Sequence, residues 1–204
     1  MTKKNLKKEE ILRVAALVFR TKGYHAARIQ DIADALGMQK GSLYYYIKTK
    51  DELLSGLVED ILTKSVDLTK TISNTKLDTI DKLKRSIEAH LVLYHSNRDA
   101  FGVFLNEDIE LISKASKKNV YKIIKDYEQS WKSIFEHGIK KGIFRKETDL
   151  NIMVKSILGM MNWSYKWYKS ESRGGIPQLA ESFSQVILNG CLNQNFNKTK
   201  TNEK

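Results

Sequence analysis

Apolar residues recur at intervals of three and four through nearly the whole chain. That is the period of amphipathic helices, not the alternation of strands. Ile11, Leu12, Ala15, Val18 and Phe19 predict a first helix from Asn5 to Lys22, ended by Gly23. Gln30 to Lys50 then reads as two short helices around a tight turn. Ile29, Ile32, Ala33 and Leu36 share one face of the first of these. Gly37 stops it, because glycine accepts the left-handed cap conformation, and Met38, Leu43 and Ile47 close the small core from the other side. Thr49 and Glu52 form a capping box for a fourth helix, Asp51 to Ile72, with Leu53, Leu54, Leu57, Val58, Ile61, Leu62 and Val66 inward. After a break at SNTK, a fifth helix is predicted from Asp78 to Ser96, with Ile80, Leu83, Ile87, Leu91 and Tyr94 inward. A short sixth element covers Asn97 to Asn106. A seventh helix spans Ser113 to Lys141, its end loosened by Gly138 and Gly142. An eighth covers Asp149 to Lys169, and a ninth carries Pro177 in its first turn, where proline is tolerated. The polar tail from Asn193 to Lys204 is expected to fray. The fold class is all-α with about nine helices: a three-helix domain over 1–50 and a larger helical domain over 51–204.

The helix-turn-helix leaves Gln39, Lys40, Gly41, Ser42, Tyr44, Tyr45 and Tyr46 outside its core, followed by Lys48 and Lys50. This surface offers amide, hydroxyl and ammonium groups and almost no acid. It suits a DNA major groove, with side chains near the second helix start reaching base edges and flanking donors holding phosphates. Arg28 and Gln30 flank it at the start of the preceding helix. Lys50 is expected on a phosphate, and Lys40 on a phosphate or a base.

The pattern Phe19-x-x-x-Gly23, then DIADALG, a basic residue, Gly41, Ser42, Leu43 and an aromatic run, resembles the DNA-binding domain of the TetR family of one-component bacterial regulators. The match runs from about Glu9 to Leu54. Family members often place Ser or Thr before the second helix and Ser where Gln39 stands. Here Ala26, Ala27 and Arg28 precede the helix, so both N-caps lack a good side-chain acceptor. Shorter matches, YHAAR, FLNEDIEL, GIKKGIFR at Gly138 to Arg145 and NWSYKWY at Asn162 to Tyr168, are similar to the acyl-CoA-responsive branch that controls fatty-acid degradation.

Charge sharpens this reading. The net charge is +11, and residues 1 to 50 hold 11 Lys+Arg against 4 Asp+Glu. A basic helix-turn-helix domain favours nucleic acid over a membrane surface. Lys3, Lys4, Lys7 and Lys8 read simply as a solvated face. Cys191 is the single cysteine, which excludes a disulfide framework and a four-cysteine metal site. No apolar leader precedes the basic start, and runs such as Ile157 to Trp163 are too short to span a bilayer, so a cytoplasmic location is expected. His90 and His95 are five apart, not at metal-ligand spacing on one helix face, and His25 and His137 stand alone. Neighbouring carboxylates such as Glu107 and Asp108 read as surface charge. No nucleophile elbow, P-loop or dinucleotide pattern is present, so neither catalysis nor a metal or cofactor is expected.

The second domain is rich in residues that wall apolar ligands: Tyr94, Phe101, Phe104, Tyr127, Trp131, Met160, Met161, Trp163 and Trp167. Most must be core, but methionine adapts to varied shapes and aromatics combine apolar faces with polar tips. The resemblance implies an effector cavity between the middle helices, with Trp167, Lys166 and Lys169 towards its mouth and Gly159 and Met160 lining it. Leu150, Val154, Ile157 and Leu158 on helix eight, with Leu179, Phe183, Val186, Ile187 and Gly190 on helix nine, form apolar stripes. The resemblance implies that these pair with their copies in a four-helix homodimer interface. The resulting expectation is a repressor of a palindromic double-stranded operator, released by a small apolar or acyl-CoA-like effector. A multidrug sensor controlling an efflux pump is the alternative, and a helical enzyme or ligand carrier stands behind both.

Overall fold

The computed structural model describes residues 3–106, 113–146, 149–169 and 174–193. Among them the chain forms nine helices: α1 (Lys3–Lys22), α2 (Ile29–Ala35), α3 (Lys40–Tyr44), α4 (Lys50–Ser73), α5 (Thr79–Ser96), α6 (Arg98–Asn106), α7 (Lys114–Lys140), α8 (Leu150–Trp167) and α9 (Gly175–Cys191). The one β feature among the described residues is an isolated bridge between Phe144 and Leu192. The all-α fold read from the apolar period is therefore the fold observed. Glu107 and Asp108, the side chains of Lys3 and Lys4, and the tail from residue 194 onward lie outside the described residues.

The chain packs as two compact units, Met1–Lys64 with Asn97–Ile124, and Ser65–Ser96 with Lys125–Lys204. These packing units do not follow the division at residue 50: α4 and α7 each begin in the first unit and end in the second.

In the first unit α1 packs against α6 and α2. Ile11, Ala15, Phe19, Ile32, Ala33, Leu43, Leu53, Leu54 and Phe101 are almost wholly buried there. Burying each large apolar side chain contributes about 1.5–3 kcal/mol. Arg20 pairs with Asp99 of α6 at 2.5 Å, but both are well exposed, so the pair adds little beyond orientation.

In the second unit α5 packs against α9 and α8. Leu83, Ile87, Trp131, Phe135, Val154 and Met161 form the interior. Asp149 caps α8, accepting from the Asn151 and Ile152 amides at 2.8 and 3.3 Å. The glycines at the end of α7 tighten the chain instead of loosening it. Gly142 takes φ +70°, the chain reverses, and Phe144 folds back beneath Gly138. A Cβ at Gly138 would stand 2.2 Å from the Phe144 ring. Phe144 then meets Phe135 in a tilted contact with ring centres 5.3 Å apart, while the Arg145 and Asn193 amides donate to the Cys191 and Ile143 carbonyls. The GIKKGIFR segment is thus a latch on the end of α9.

Candidate DNA-binding surface and effector core

The turn between α2 and α3 is built by Gly37 at φ +62°. The Gly37 and Met38 amides donate to the Asp34 and Ala33 carbonyls at 3.0 and 2.9 Å. Leu43 and Ile47 anchor α3 in the core. Gln39, Lys40, Gly41, Ser42, Tyr44, Tyr45 and Lys48 are exposed, and Tyr46 is half-buried. Tyr45 stands 73 % exposed, an unusual solvent position for so large a ring. Arg28 and Gln30 are exposed at the start of α2, although the Gln30 amide already donates to Asp34 at 2.7 Å.

The missing caps are compensated on α2. Arg28 occupies the cap position without an acceptor, and Asp31, three residues on, accepts the Arg28 backbone N–H at 2.7 Å. Asp31 also pairs with Lys22 of α1 at 2.7 Å, and these two bonds hold its carboxyl below the usual range. Gln39 makes no cap hydrogen bond on α3.

Lys50 is the clearest departure from expectation. Its ammonium is engaged within the chain itself. It donates to the carbonyls of Tyr24, Ala27 and His25 at 2.7, 3.0 and 3.3 Å, and lies 4.3 Å from the centre of the Tyr24 ring. Tyr24 in turn donates its hydroxyl to Asp51 at 2.6 Å. Three carbonyls converging in the α1–α2 loop make a cation site that the first residue of α4 fills. Lys50 and Asp51 therefore pin the helix-turn-helix to the start of α4.

The second unit holds a buried polar cluster. His90 of α5 lies 2.7 Å from the Tyr127 hydroxyl through Nδ1, its ring parallel to that of Tyr127. Tyr94 meets His90 edge-on at 4.1 Å, and Trp131 does so at 6.4 Å. Ser65 of α4 donates to the Tyr94 hydroxyl at 3.1 Å. Burial pulls the His90 pKa down to about 3, with a weaker opposing effect from Asn162, so the ring is neutral. Burial likewise pushes Tyr94 up to about 12 and Tyr127 well above the usual phenol. His90 and Asn162, and Tyr127 and Trp131, act on one another across the cluster, while the hydroxyls of Ser86 and Thr79 have no hydrogen-bond partner among the described residues. Each such group costs about 1–3 kcal/mol.

The expected effector residues are thus distributed unevenly. Tyr94, Tyr127, Trp131 and Met161 are buried in the second unit, and Met160 is half-buried there. Phe101 and Phe104 belong to the first unit, with ring centres 6.0 Å apart. Trp163 and Trp167 are 63 % and 54 % exposed, so neither ring lies inside an enclosed core. The same holds for Gly159, which is exposed and where an added Cβ would meet nothing within 4 Å. Helical period explains these departures: Ile152, Gly159 and Trp163 fall on one outward face of α8, within an arc of about 40°. Sequence analysis set His90 aside as a metal ligand and did not single out Asn162. Their signal was a polar residue on the inward face of an otherwise apolar helix.

Residues 11–57 match the model for bacterial regulatory proteins of the tetR family, and residues 76–191 match the tetracyclin repressor-like C-terminal domain. The chain belongs to the TetR family. Among its relatives is the HTH-type transcriptional repressor KstR2 of Rhodococcus jostii, 24% identical over 92% of each chain. The fatty acid metabolism regulator protein of Bacillus subtilis is 20% identical, over 95% of this chain and 100% of its own. The structure of AibR in complex with isovaleryl coenzyme A and operator DNA superposes with a TM-score of 0.77, at 22% identity over 89% of this chain and 97% of AibR. This chain is therefore a DNA-binding transcriptional regulator of that family. Among the described residues there is no metal-binding cluster, and no helix is long and apolar enough to cross a membrane.

The nine stripe residues on α8 and α9 fall into three groups. Val154, Ile157, Leu179, Phe183 and Ile187 are buried in the protomer, with Phe183 against Trp167 at 6.3 Å. Val186 and Gly190 are exposed, and Leu150 and Leu158 are half-buried. An open groove of about 510 Å³ runs between the two helices, lined by Ile152, Met153, Ile157, Val186, Ile187 and Gly190 with Asp149 and Cys191.

Proposed function

We propose that this repressor works as a cytoplasmic homodimer on a palindromic operator and is released by an acyl-CoA thioester. The observation that carries the DNA reading is Gly41. It has no positive φ, and a Cβ there would meet nothing within 4 Å, so nothing inside the chain requires glycine. A surface that another backbone approaches closely does require it. Around it Gln39, Lys40, Ser42, Tyr44, Tyr45, Tyr46 and Lys48 offer donors to bases and phosphates, with Arg28 and Gln30 beside them. One short reading helix contacts few bases, and a two-fold dimer doubles them on a palindrome.

The outward face of α8 and α9 supports the dimer. Ile152, Trp163, Trp167 and Val186 are all more than half exposed, and small Gly159 and Gly190 lie between them. A second copy covers such a face in an isologous four-helix contact.

An acyl effector is supported by the relatives' named functions and by the uncharged interior. No Asp or Glu is buried among the described residues, so a lipophilic cation would find no buried counter-ion. Helix α4 connects the two activities along one element. Its first residues hold the Tyr24 loop, and its later part presents Ser65 to Tyr94. A ligand that favours one α4 position shifts the DNA-binding population by its differential affinity for the two states. The test is a gel shift on DNA upstream of the gene, with octanoyl-CoA, octanoate and a lipophilic cation added in parallel. Release by octanoyl-CoA alone is expected, because the nucleotide phosphates add charge-assisted contacts. Release by the cation alone would favour the drug-sensor alternative.

A further inference from the structure

Residues 113–125 hold five lysines and no Asp or Glu. Four of them, Lys114, Lys117, Lys118 and Lys122, lie on the part of α7 that packs in the first unit, together with the helix-turn-helix. The rest of α7, from Lys125 to Lys140, belongs to the second unit and carries three lysines and three acids. One helix thus changes from cationic to balanced where it leaves the unit that holds α3. Lys114, Lys118, Tyr121 and Lys122 share an arc of about 100°. All four are exposed, Tyr121 at 52 %, and Lys117 is half-buried on their flank. Among the described residues no acid pairs with Lys114, Lys118 or Lys122. A face kept only for solubility is served by mixed signs, whereas lysines four apart repel one another along a helix. Lys114 with Lys118 and Lys118 with Lys122 are two such pairs, and a polyanion would relieve both.

We propose that Lys114, Lys118, Tyr121 and Lys122 form a second DNA-binding surface, which holds the phosphate backbone irrespective of base sequence. Lysine ammonium groups act on phosphates as point charges, and the Tyr121 hydroxyl adds a donor of the kind that contacts phosphate oxygens. The three lysines are spread over about 12 Å of helix. One DNA strand presents a phosphate roughly every 3.4 Å of its axis, so each ammonium can take one of its own. A lipid surface fits less well. An interfacial helix needs an apolar face to insert, and that of α7 is used inside the chain, with Val120 buried and Ile123 and Ile124 half-buried. The surface lies on a different helix from α3 and owes nothing to the operator, dimer or effector proposed above.

The test uses the full chain and a random-sequence duplex, with binding followed by fluorescence anisotropy over a range of salt. One variant combines Lys114→Gln, Lys118→Gln and Lys122→Gln. Its slope of log affinity against log salt should fall by about 2 to 3, and its affinity at low salt by about tenfold or more. Helix content by circular dichroism should be unchanged, since only exposed, mutually repelling charges are removed. A control combines Lys140→Gln, Lys141→Gln and Lys146→Gln, three exposed lysines of the second unit. It removes the same net charge and should keep the wild-type slope. An unchanged slope in the first variant overturns the proposal. So does an equal fall in both variants, which would leave only an effect of net charge. Loss of binding to phosphatidylglycerol vesicles by the first variant, with its DNA slope intact, would give the face to a lipid surface and overturn the proposal as well. Because random DNA carries no operator, failure here leaves the α3 reading standing.

Discussion

Replacing Lys50 with Met removes one ammonium and keeps most of the apolar stem. The three carbonyls of Tyr24, Ala27 and His25 lose their shared donor. Hydrogen bonds to a charged group contribute about 1.5–3 kcal/mol, and the contact with the Tyr24 ring adds roughly 0.5–1 kcal/mol. The site is half-buried, so water replaces part of what is lost. A net cost of about 2 kcal/mol follows, a sizeable share of the stability of a small protein. Urea denaturation should show this as a lowered midpoint with an unchanged slope. Operator affinity should also fall, since the α1–α2 loop is no longer pinned to α4. The slope of log affinity against log salt should not change, because no phosphate contact is lost. A slope reduced by about 1 with wild-type stability would refute this reasoning and return Lys50 to the phosphate shell.

Further expectations concern the second unit. His90 is held neutral with a pKa of about 3, below its unfolded value near 6.5. The unfolded chain therefore binds an extra proton between these values, and stability falls as the pH drops through that window. The loss from this group should approach about 1.4 kcal/mol per pH unit below pH 6, and His90→Phe should flatten denaturation curves taken between pH 6.5 and 4.5. Val186→Asp places a charge on the exposed α9 face and should yield a folded monomer by sedimentation, with operator affinity lost; a surviving dimer would remove Val186 from the interface. Phe183→Asp is the poorer probe, because Phe183 is 8 % exposed and its replacement would unfold the protomer. Gly138→Ala should cost about 1–3 kcal/mol in thermal melts, since its methyl would collide with Phe144.

How far the sequence was legible follows from how local each signal is. Helix positions were legible because Leu53, Leu57 and Ile61 repeat at a period that no strand shares. The turn at Gly37 was legible because a left-handed residue demands glycine. The partners of Lys50 were not legible: sequence shows its charge and its neighbours along the chain, but its three carbonyl partners lie more than twenty residues away. The exposure of Trp163 and the burial of Phe183 within the protomer were not legible for a related reason. An apolar residue at helical spacing announces that it is covered, not by which element, and the protomer core and a partner face look alike. The cluster of His90, Tyr127 and Asn162 was invisible because single polar residues acquire meaning only when folding brings them together from different helices. The Gly138 latch needed the ring of Phe144, which a chain reversal brings back beneath it.

The surface around α3 is the core of the functional reading, and Gly41→Ala tests it most directly. Folding should tolerate the change. The added methyl meets no atom within 4 Å and the backbone is helical, so stability should hold or rise by up to roughly 1 kcal/mol. Operator binding, followed by fluorescence anisotropy at fixed salt, should weaken by about tenfold or more, because the methyl separates α3 from the DNA at its closest approach. Full operator affinity in a normally folded Gly41→Ala protein would contradict the placement of α3 against DNA.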